Sequence, residues 1–338
     1  MTRHVVVYTQ NNAFASTIVG PLEVFAYTGG MWNFLMNSPL ELQFRVTVAS
    51  LDGNPVVTRT GLVIQVDQCI FDVGQADFVL ITSCGEDIET SLKLSAPVIP
   101  WLRQQHAQGV LLGSVCSGLA LLAATGLLDG KRATTHWGLL DRMRKKFPAL
   151  QLQSDQLYVE EPGIVTAGGG YAGTDLALHM VEKWCGATMA RQCANAMLLD
   201  VNRESQAVFA GIQHHRMHQD ERVQQIQNWL DAHFHEEINL DSLAAGYNMS
   251  PRNFKRRFKQ ASGDTPLRYL QKLRIEAAKR ILETSDTQVE RVAELVGYKD
   301  DNYFRQLFNR YTSFTPMAYR NRYGMSKQIQ SNQSVKSL

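Results

Sequence analysis

The chain has 338 residues, 44% of them hydrophobic and 20% charged, with a formal net charge of +2. That is length for two or three domains with ample core material, and no stretch approaches the roughly eighteen apolar residues of a membrane span, nor do the first ten residues resemble an export signal. The charge divides unevenly, about −4 through Asp220 and about +6 after it, so a basic end is set up for nucleic-acid contact while the rest is not.

In chain order, residues 4–9 read as a buried strand, followed by a helix near Pro21–Tyr27. Phe44–Ser50 is a second strand. A turn at Asp52-Gly53-Asn54-Pro55 leads into strand-like Val56–Val66, and Phe78–Thr82 and Val110–Val115 are further short apolar runs. A helix over Ser117–Thr125 stops at Gly126; Tyr158–Thr166 returns as a strand, with helices at Thr174–Trp184 and Met189–Asp200. Strands alternating with helices predict an α/β domain whose parallel sheet is covered on both faces. Residues 202–220 are polar and read as an interdomain linker, in which His214, His215 and His218 form a weak metal pattern without cysteine or carboxylate support. Cys69, Cys84, Cys116, Cys185 and Cys193 are odd in number and lack CxxC spacing, which predicts free thiols in a reducing cytoplasm.

The chemistry-bearing stretch of this part is Gly113-Ser114-Val115-Cys116-Ser117-Gly118. It places a cysteine between a strand and a helix, the geometry of a nucleophile elbow whose helix N-terminus favours thiolate. The same amides suit a ligand carboxylate. Cys116, Ser117, His136, Trp137, Gly168 and Gly169 are therefore expected to gather at the strand C-termini as a ligand pocket, with Trp137 or Trp32 facing a cationic nitrogen. A structural cysteine and core aromatics are the plainer alternatives. No GxGxxG or GxxxxGK[ST] occurs, which argues against a nucleotide, and no cofactor is expected.

From Asn239 to Tyr319 one supersecondary unit occurs twice. Phe254 recurs as Phe304, Phe258 as Phe308, Thr265-Pro266 as Thr315-Pro316 and Tyr269 as Tyr319, all at an offset of about fifty residues. Each copy reads as helix, turn, helix: Leu240–Gly246 and a helix from Pro251 capped by Ser250, then Val289–Val296 and a helix opening near Asp301. The paired phenylalanines point inward, leaving Ser250, Arg252, Asn253, Lys255, Arg256 and Lys259 in one copy, and Asp301, Asn302, Arg305 and Gln306 in the other, for double-stranded DNA. Between them Pro266–Glu283 forms a helix about 27 Å long that holds the reading helices roughly one DNA turn apart, on which Arg274 and Lys279 read either as phosphate contacts or as plain solvated charges.

These residues resemble two families. Leu243-Ala244, Met249 to Phe258, Thr265-Pro266, Arg274, Ala293 to Tyr298 and Thr315 to Arg320 resemble the AraC-type DNA-binding domain, with Asn248 and Ser313 where glycine is usual. Gly20 to Phe25, Cys116 to Trp137, Phe147-Pro148 and Gly168 to Asp175 resemble the PfpI-like branch of the class I glutamine-amidotransferase superfamily, and more narrowly the regulators in which that flavodoxin-like fold precedes an AraC-type domain.

The resemblance implies a sensing and dimerising domain over 1–200 and a DNA-binding domain over 221–325, with the polar residues 201–220 as the linker between them and the Ser/Gln/Lys-rich residues 326–338 read from composition as a disordered tail. It implies a cytoplasmic homodimer that recruits RNA polymerase as an activator and answers to an amino acid or quaternary amine. Catalytic relatives carry a histidine after the cysteine and an acid before the first helix. Here Ser117 and Thr17 occupy those places, so the resemblance implies binding without catalysis, with Thr17 in the pocket. A cysteine-dependent hydrolase or amidase, a redox sensor acting through Cys116, and an architectural DNA-binding protein are the alternatives.

Overall fold

In the computed structural model, which describes residues 2–200, 205–206, 213–216 and 218–324, the chain falls into two units, Met1–Gln206 and Ala207–Leu338. The first runs β1 (Arg3–Tyr8), α1 (Ala15–Tyr27), α2 (Met31–Leu35), β2 (Phe44–Ser50), β3 (Val56–Val57), β4 (Val63–Ile64), β5 (Gln68–Cys69), β6 (Phe78–Ile81), α3 (Ile88–Leu94) and α4 (Val98–Ala107). It continues with β7 (Leu111–Val115), α5 (Leu119–Ala124), β8 (Arg132–Ala133), α6 (Leu140–Lys146), β9 (Gln151–Leu152), β10 (Tyr158–Glu161), β11 (Ile164–Ala167), α7 (Ala172–Cys185) and α8 (Ala187–Ala196).

Seven strands form one sheet in the order β10-β11-β7-β6-β1-β2-β5, parallel throughout except for β10 against β11. Alternation along β1 divides the core between two layers. Val5 and Val7 face α1, α7 and α8 together with Phe25, Phe78 and Leu176. Val6 and Tyr8 face the opposite layer with Leu102, Leu112 and Leu122. Each large side chain so buried contributes about 1.5–3 kcal/mol. This is the expected doubly covered α/β sandwich.

Four expected elements differ in detail. Helix α1 begins six residues before Pro21 and carries it inside. The proline forgoes one helix bond, and its ring is buried where α1 crosses α7, with Gly173 so close that a Cβ there would lie 3.0 Å from Pro21 Cγ. The run 56–66 is not one strand but the antiparallel pair β3–β4. The run 158–166 is likewise two strands, reversed at Pro162-Gly163, where Gly163 takes φ +75°. The helix expected over Met189–Asp200 spans Ala187–Ala196 instead.

The second unit contains a 3-10 turn (Gln213–Arg216) and then α9 (Glu221–His233), α10 (Leu240–Gly246), α11 (Pro251–Ser262), α12 (Pro266–Thr284), α13 (Val289–Leu295), α14 (Asp301–Thr312) and α15 (Pro316–Tyr323). Local chemistry explains most boundaries. Asn239, Ser250, Thr265, Asp300 and Thr315 each accept an amide at a helix start, and Pro251, Pro266 and Pro316 follow three of them. Helix α12 sits between two small cores. Tyr269, Leu270 and Leu273 join Phe254 and Phe258 on one side, and Ile275, Ala278 and Leu282 join Phe304 and Phe308 on the other.

The expected linker is described only in part. Ser205 and Gln206 belong to the first unit, where the Gln206 amide donates to Thr134 Oγ1 and to the Thr135 and Gln156 carbonyls. In the second unit the buried His215 ring meets the Ser262 carbonyl at 2.9 Å and Lys272 Nζ at 3.2 Å, so it is already engaged. The side chain of His214 and the tail 326–338 lie outside the described residues.

Candidate nucleic-acid interface and ligand site

Helices α10 and α11 form the first helix-turn-helix, turning at Asn248 with φ +54°. Phe254 and Phe258 are buried, so the helical period leaves Arg252, Lys255, Arg256 and Lys259 exposed along α11. Arg256 donates to Asn253 Oδ1 at 3.0 Å, which orients its guanidinium on that face. Ser250 is occupied as the cap of α11. Arg257 is withdrawn from the face by a bidentate bond to Asp220, at 2.8 and 3.0 Å.

Helices α13 and α14 form the second unit, turning at Gly297. Asn302 and Gln306 are exposed, while Arg305 is half-buried between Asp301 at 2.8 Å and Glu290 at 2.5 Å. Arg305 must therefore exchange these partners to read a base. Exposed Tyr303, Asn309 and Arg310 extend the face and were not anticipated. Asn309 was within reach of the repeat, since it stands fifty residues after Lys259.

Arg274 and Lys279, weighed as phosphate contacts, are both engaged within the protein. Arg274 Nε donates to the Phe234 carbonyl at 2.7 Å and Nη2 to the Glu236 carbonyl at 2.8 Å, and its guanidinium lies 5.0 Å from the Tyr298 ring. It thus spans from the segment before α10 to the turn of the second helix-turn-helix. Lys279 is buried and pairs with Glu276 at 2.8 Å. Both lie on a helix packed on two sides, which spacing within one helix does not reveal.

In the first unit Cys116 has φ +57°, the strained turn of an elbow. Its amide donates to the Gly168 carbonyl at 2.9 Å and its carbonyl accepts from Thr135 Oγ1 at 2.7 Å. Gly118 is required here, because a Cβ would meet the Thr82 carbonyl oxygen of the neighbouring strand end. Cys116 as a whole is 6% exposed. Burial pushes its pKa up to about 11, outweighing the amides of Ser117 and Gly170. The expectation that the helix start favours thiolate is therefore corrected: desolvation wins.

His136 accepts from the Gly138 amide through Nδ1 at 3.0 Å, and burial lowers its pKa, so at neutral pH it is uncharged with its proton on Nε2. Its ring lies against Gly169, where any side chain would overlap it, and 5.1 Å from the Trp137 ring. Thr17 is buried, donating to the Phe14 carbonyl at 2.7 Å and lying 3.0 Å from Ser83 Oγ. Cys116, Ser117, His136, Trp137, Gly168 and Gly169 are thus brought together, and Thr17 joins through the Ser83–Cys84 turn, whose Cys84 amide donates to Ser117 Oγ at 2.9 Å. Trp32 is not part of this cluster. It follows α1 back to the opposite end of the sheet, where Gln43 bonds both Thr28 and Arg3.

Beside the cluster, and sharing Cys84 with it, a cavity of about 460 Å³ opens at the carboxyl ends of β1, β2 and β6. Tyr8, Asp52, Arg59, Glu86 and Asp87 are among its walls. None was singled out from the sequence, because they come from four separate segments that only the sheet order brings together.

An α/β sandwich with a crevice at its strand ends, joined to two helix-turn-helix units with polar outward faces, defines a DNA-binding transcription regulator. Comparison with known proteins agrees. Residues 3–183 match the DJ-1/PfpI family and residues 243–322 match a helix-turn-helix domain of the AraC type. The chain belongs to the DJ-1/PfpI family and carries an AraC-type DNA-binding domain behind it.

Among its relatives is the HTH-type transcriptional regulator CdhR of Pseudomonas aeruginosa, 26% identical over 81% of this chain and 80% of that one. GbdR of the same species is 28% identical over 81% and 74%, and GlxA of Rhizobium meliloti 25% identical over 86% and 89%. Of solved structures, a THiJ/PfpI family protein from Pseudomonas syringae shares the fold at TM-score 0.51 and 22% identity, covering 61% of this chain and 79% of its own. Drosophila melanogaster DJ-1beta does so at TM-score 0.50 and 21% identity, over 59% of this chain and 100% of its own. No helix of the described residues is long and apolar enough to cross a membrane.

Proposed function

We propose that the α/β unit is a sensor that binds a small nitrogen-containing metabolite, of the amino acid or quaternary amine type, without transforming it. Binding shifts the relative placement of the DNA-binding units of a homodimer, which acts in the cytoplasm and contacts RNA polymerase as an activator. Such a shift requires the metabolite to prefer one arrangement over the other. The sensor occupies residues 1–200, the connector 201–220 and the DNA-binding domain 221–325.

The observation that carries this is the state of Cys116. Its thiol is buried and pushed up to about 11, Ser117 follows it where a base would be needed, and Thr17 is committed to Ser83 and Phe14. Neutral His136, the one candidate base in the cluster, has its Nδ1 lone pair taken by the Gly138 amide and its proton on Nε2. A nucleophile without a base free to accept its proton lacks the activation that covalent catalysis needs. On the DNA side, Ser250, Arg252, Asn253, Lys255, Arg256 and Lys259 address one groove and Asp301, Asn302, Arg305 and Gln306 the next.

The test is footprinting on promoter fragments with and without amino acids and methylated amines, alongside turnover assays of the same compounds. Arg256→Ala is expected to cost about 1–3 kcal/mol on the preferred site alone. Consumption of a metabolite that is abolished by Cys116→Ala would replace the sensor with a hydrolase. An equal loss for Arg256→Ala on all sequences would make that residue a phosphate contact.

A further inference from the structure

We propose that the metabolite sits in the cavity at the carboxyl ends of β1, β2 and β6, and that it is a zwitterion whose carboxylate takes Arg59 and whose cationic nitrogen lies toward Asp52 and Asp87. This rests on the sensor reading above and names the site and the ligand class within it. The sheet order supplies the first argument. From β1 the chain crosses to β2 on one side, whereas β6 lies on the other side of β1. The loops after β1 and β6 therefore part, leaving the crevice where open α/β sheets take their ligands. The cavity of about 460 Å³ lies at these strand ends and has the size of a small-molecule site.

Its outer wall is fixed before any ligand arrives. The β3–β4 hairpin is tied to the loop after β1 by the Asn12 amide to the Val57 carbonyl at 2.8 Å and the Arg59 amide to the Ala13 carbonyl at 2.9 Å. The Val57 amide adds a bond to Asn11 Oδ1 at 2.8 Å. A wall held by two backbone–backbone bonds and one to a side chain places Arg59 without a large ordering cost on binding.

Charge supplies the second argument. Asp52, Glu86, Asp87 and Arg59 are the charged residues lining the cavity, which gives it a formal excess of two negative charges. Asp87 caps α3 through the Thr90 amide at 3.1 Å, and Asp52 accepts from the Asn54 amide and side chain at 3.1 and 2.8 Å. Both carboxylates are thereby oriented and keep lone pairs for a cation. The only acid bonded to the Arg59 side chain among the described residues is Glu86, by one contact of 3.5 Å between two exposed groups. Such a pair is worth little and yields readily to a bidentate carboxylate. The buried Tyr8 and the apolar Leu51 and Val56 complete the walls. An anionic phosphate metabolite would meet the net negative field, and an uncharged one would leave Arg59 and Asp52 unused.

The test is calorimetry on the full chain with the twenty L-amino acids and glycine betaine, with choline and acetate as probes carrying only one of the two charges. At least one zwitterion is expected to bind, and Arg59→Gln and Asp52→Asn each to weaken it by about tenfold or more, the loss of one charge-assisted contact. Arg132→Gln, at a surface ion pair with Glu161 that does not line the cavity, is expected to leave its Kd within about twofold. Both cavity positions are exposed enough to substitute without unfolding, and an unchanged melting transition of each variant is the control. Choline alone binding, no zwitterion binding, or a Kd that moves with Cys116→Ala and not with Arg59→Gln would each overturn the proposal. A zwitterion that binds the cavity yet changes occupancy at no promoter would instead sink the sensor reading and leave the site standing.

Discussion

Arg274→Ala separates a brace from a DNA contact. The guanidinium makes two charge-assisted bonds to backbone carbonyls, at 2.7 and 2.8 Å, and packs 5.0 Å from the Tyr298 ring. It also closes over Gly297, where a Cβ would stand 3.0 Å from its Cζ. Bonds from charged donors contribute about 1.5–3 kcal/mol each and an arginine–aromatic contact about 0.5–1. The group is half-buried and pays desolvation, so a net loss of about 2–4 kcal/mol is expected, read as a lower urea midpoint for the DNA-binding unit. Arg274→Lys should recover little, because a single ammonium cannot bond both carbonyls in the same geometry. Measured under conditions where the variant stays folded, the slope of log Kobs against log salt for DNA should equal that of the parent. A stable variant whose slope is shallower by about 0.9 would refute the reasoning and return Arg274 to a phosphate.

Four further expectations concern single sites. At pH 7.5, Cys116 should be alkylated by iodoacetamide far more slowly than half-buried Cys69, since a pKa of about 11 leaves only about one thiolate in three thousand; mass spectrometry showing Cys116 labelled first would restore the nucleophile. Asp264→Ala should destabilise the DNA-binding unit by about 3–5 kcal/mol, because buried Lys272, 2.9 Å away, loses its carboxylate; a calorimetric loss below about 1 kcal/mol would count against it. The pKa of His136 is lowered by burial, so its contribution is present above the unfolded value near 6.5 and lost as pH falls through it toward the folded value; His136→Gln should flatten that part of the stability profile, and an unchanged profile would assign it elsewhere. Ser313 holds φ +59° at the C-cap of α14, where Gly263 serves α11, so Ser313→Gly should gain about 0.5–1 kcal/mol in thermal unfolding, and a loss would show that the serine side chain outweighs its strain.

What the sequence made legible was what local chemistry decides. Ser250, Thr265 and Thr315, each followed by proline, mark helix starts that need no tertiary partner, and the paired phenylalanines fix the inner face of each reading helix by spacing alone. The α/β layering was legible because buried parallel strands are apolar along their whole length. Other features depend on distant chain. Pro21 lies inside a helix because α7 offers it Gly173, about 150 residues later in the chain. Spacing places Arg274 on α12, but only the fold shows that the Phe234 and Glu236 carbonyls wait beside it. The thiol of Cys116 looked activated because its motif shows the amides and hides the burial. The cavity at Tyr8, Asp52, Arg59 and Glu86 had no motif, since its walls are neighbours only across strands β1, β2 and β6.

The braces around α12 also limit how an effector can act on DNA. This helix of 19 residues contributes to both small cores, and Arg274 ties the segment before α10 to the turn before α14. Bending one helix-turn-helix against the other would break that brace and open packed phenylalanine clusters, at a cost of several kcal/mol. A ligand typically supplies about 1–3 kcal/mol of coupling, which is too little. The two reading helices of one chain should therefore keep a fixed spacing, and regulation should act on where each DNA-binding unit is carried. Spin labels at positions 255 and 306 should report the same distance with and without effector. A shift beyond the width of the label distribution would mean that the unit flexes internally and that Arg274 is a hinge.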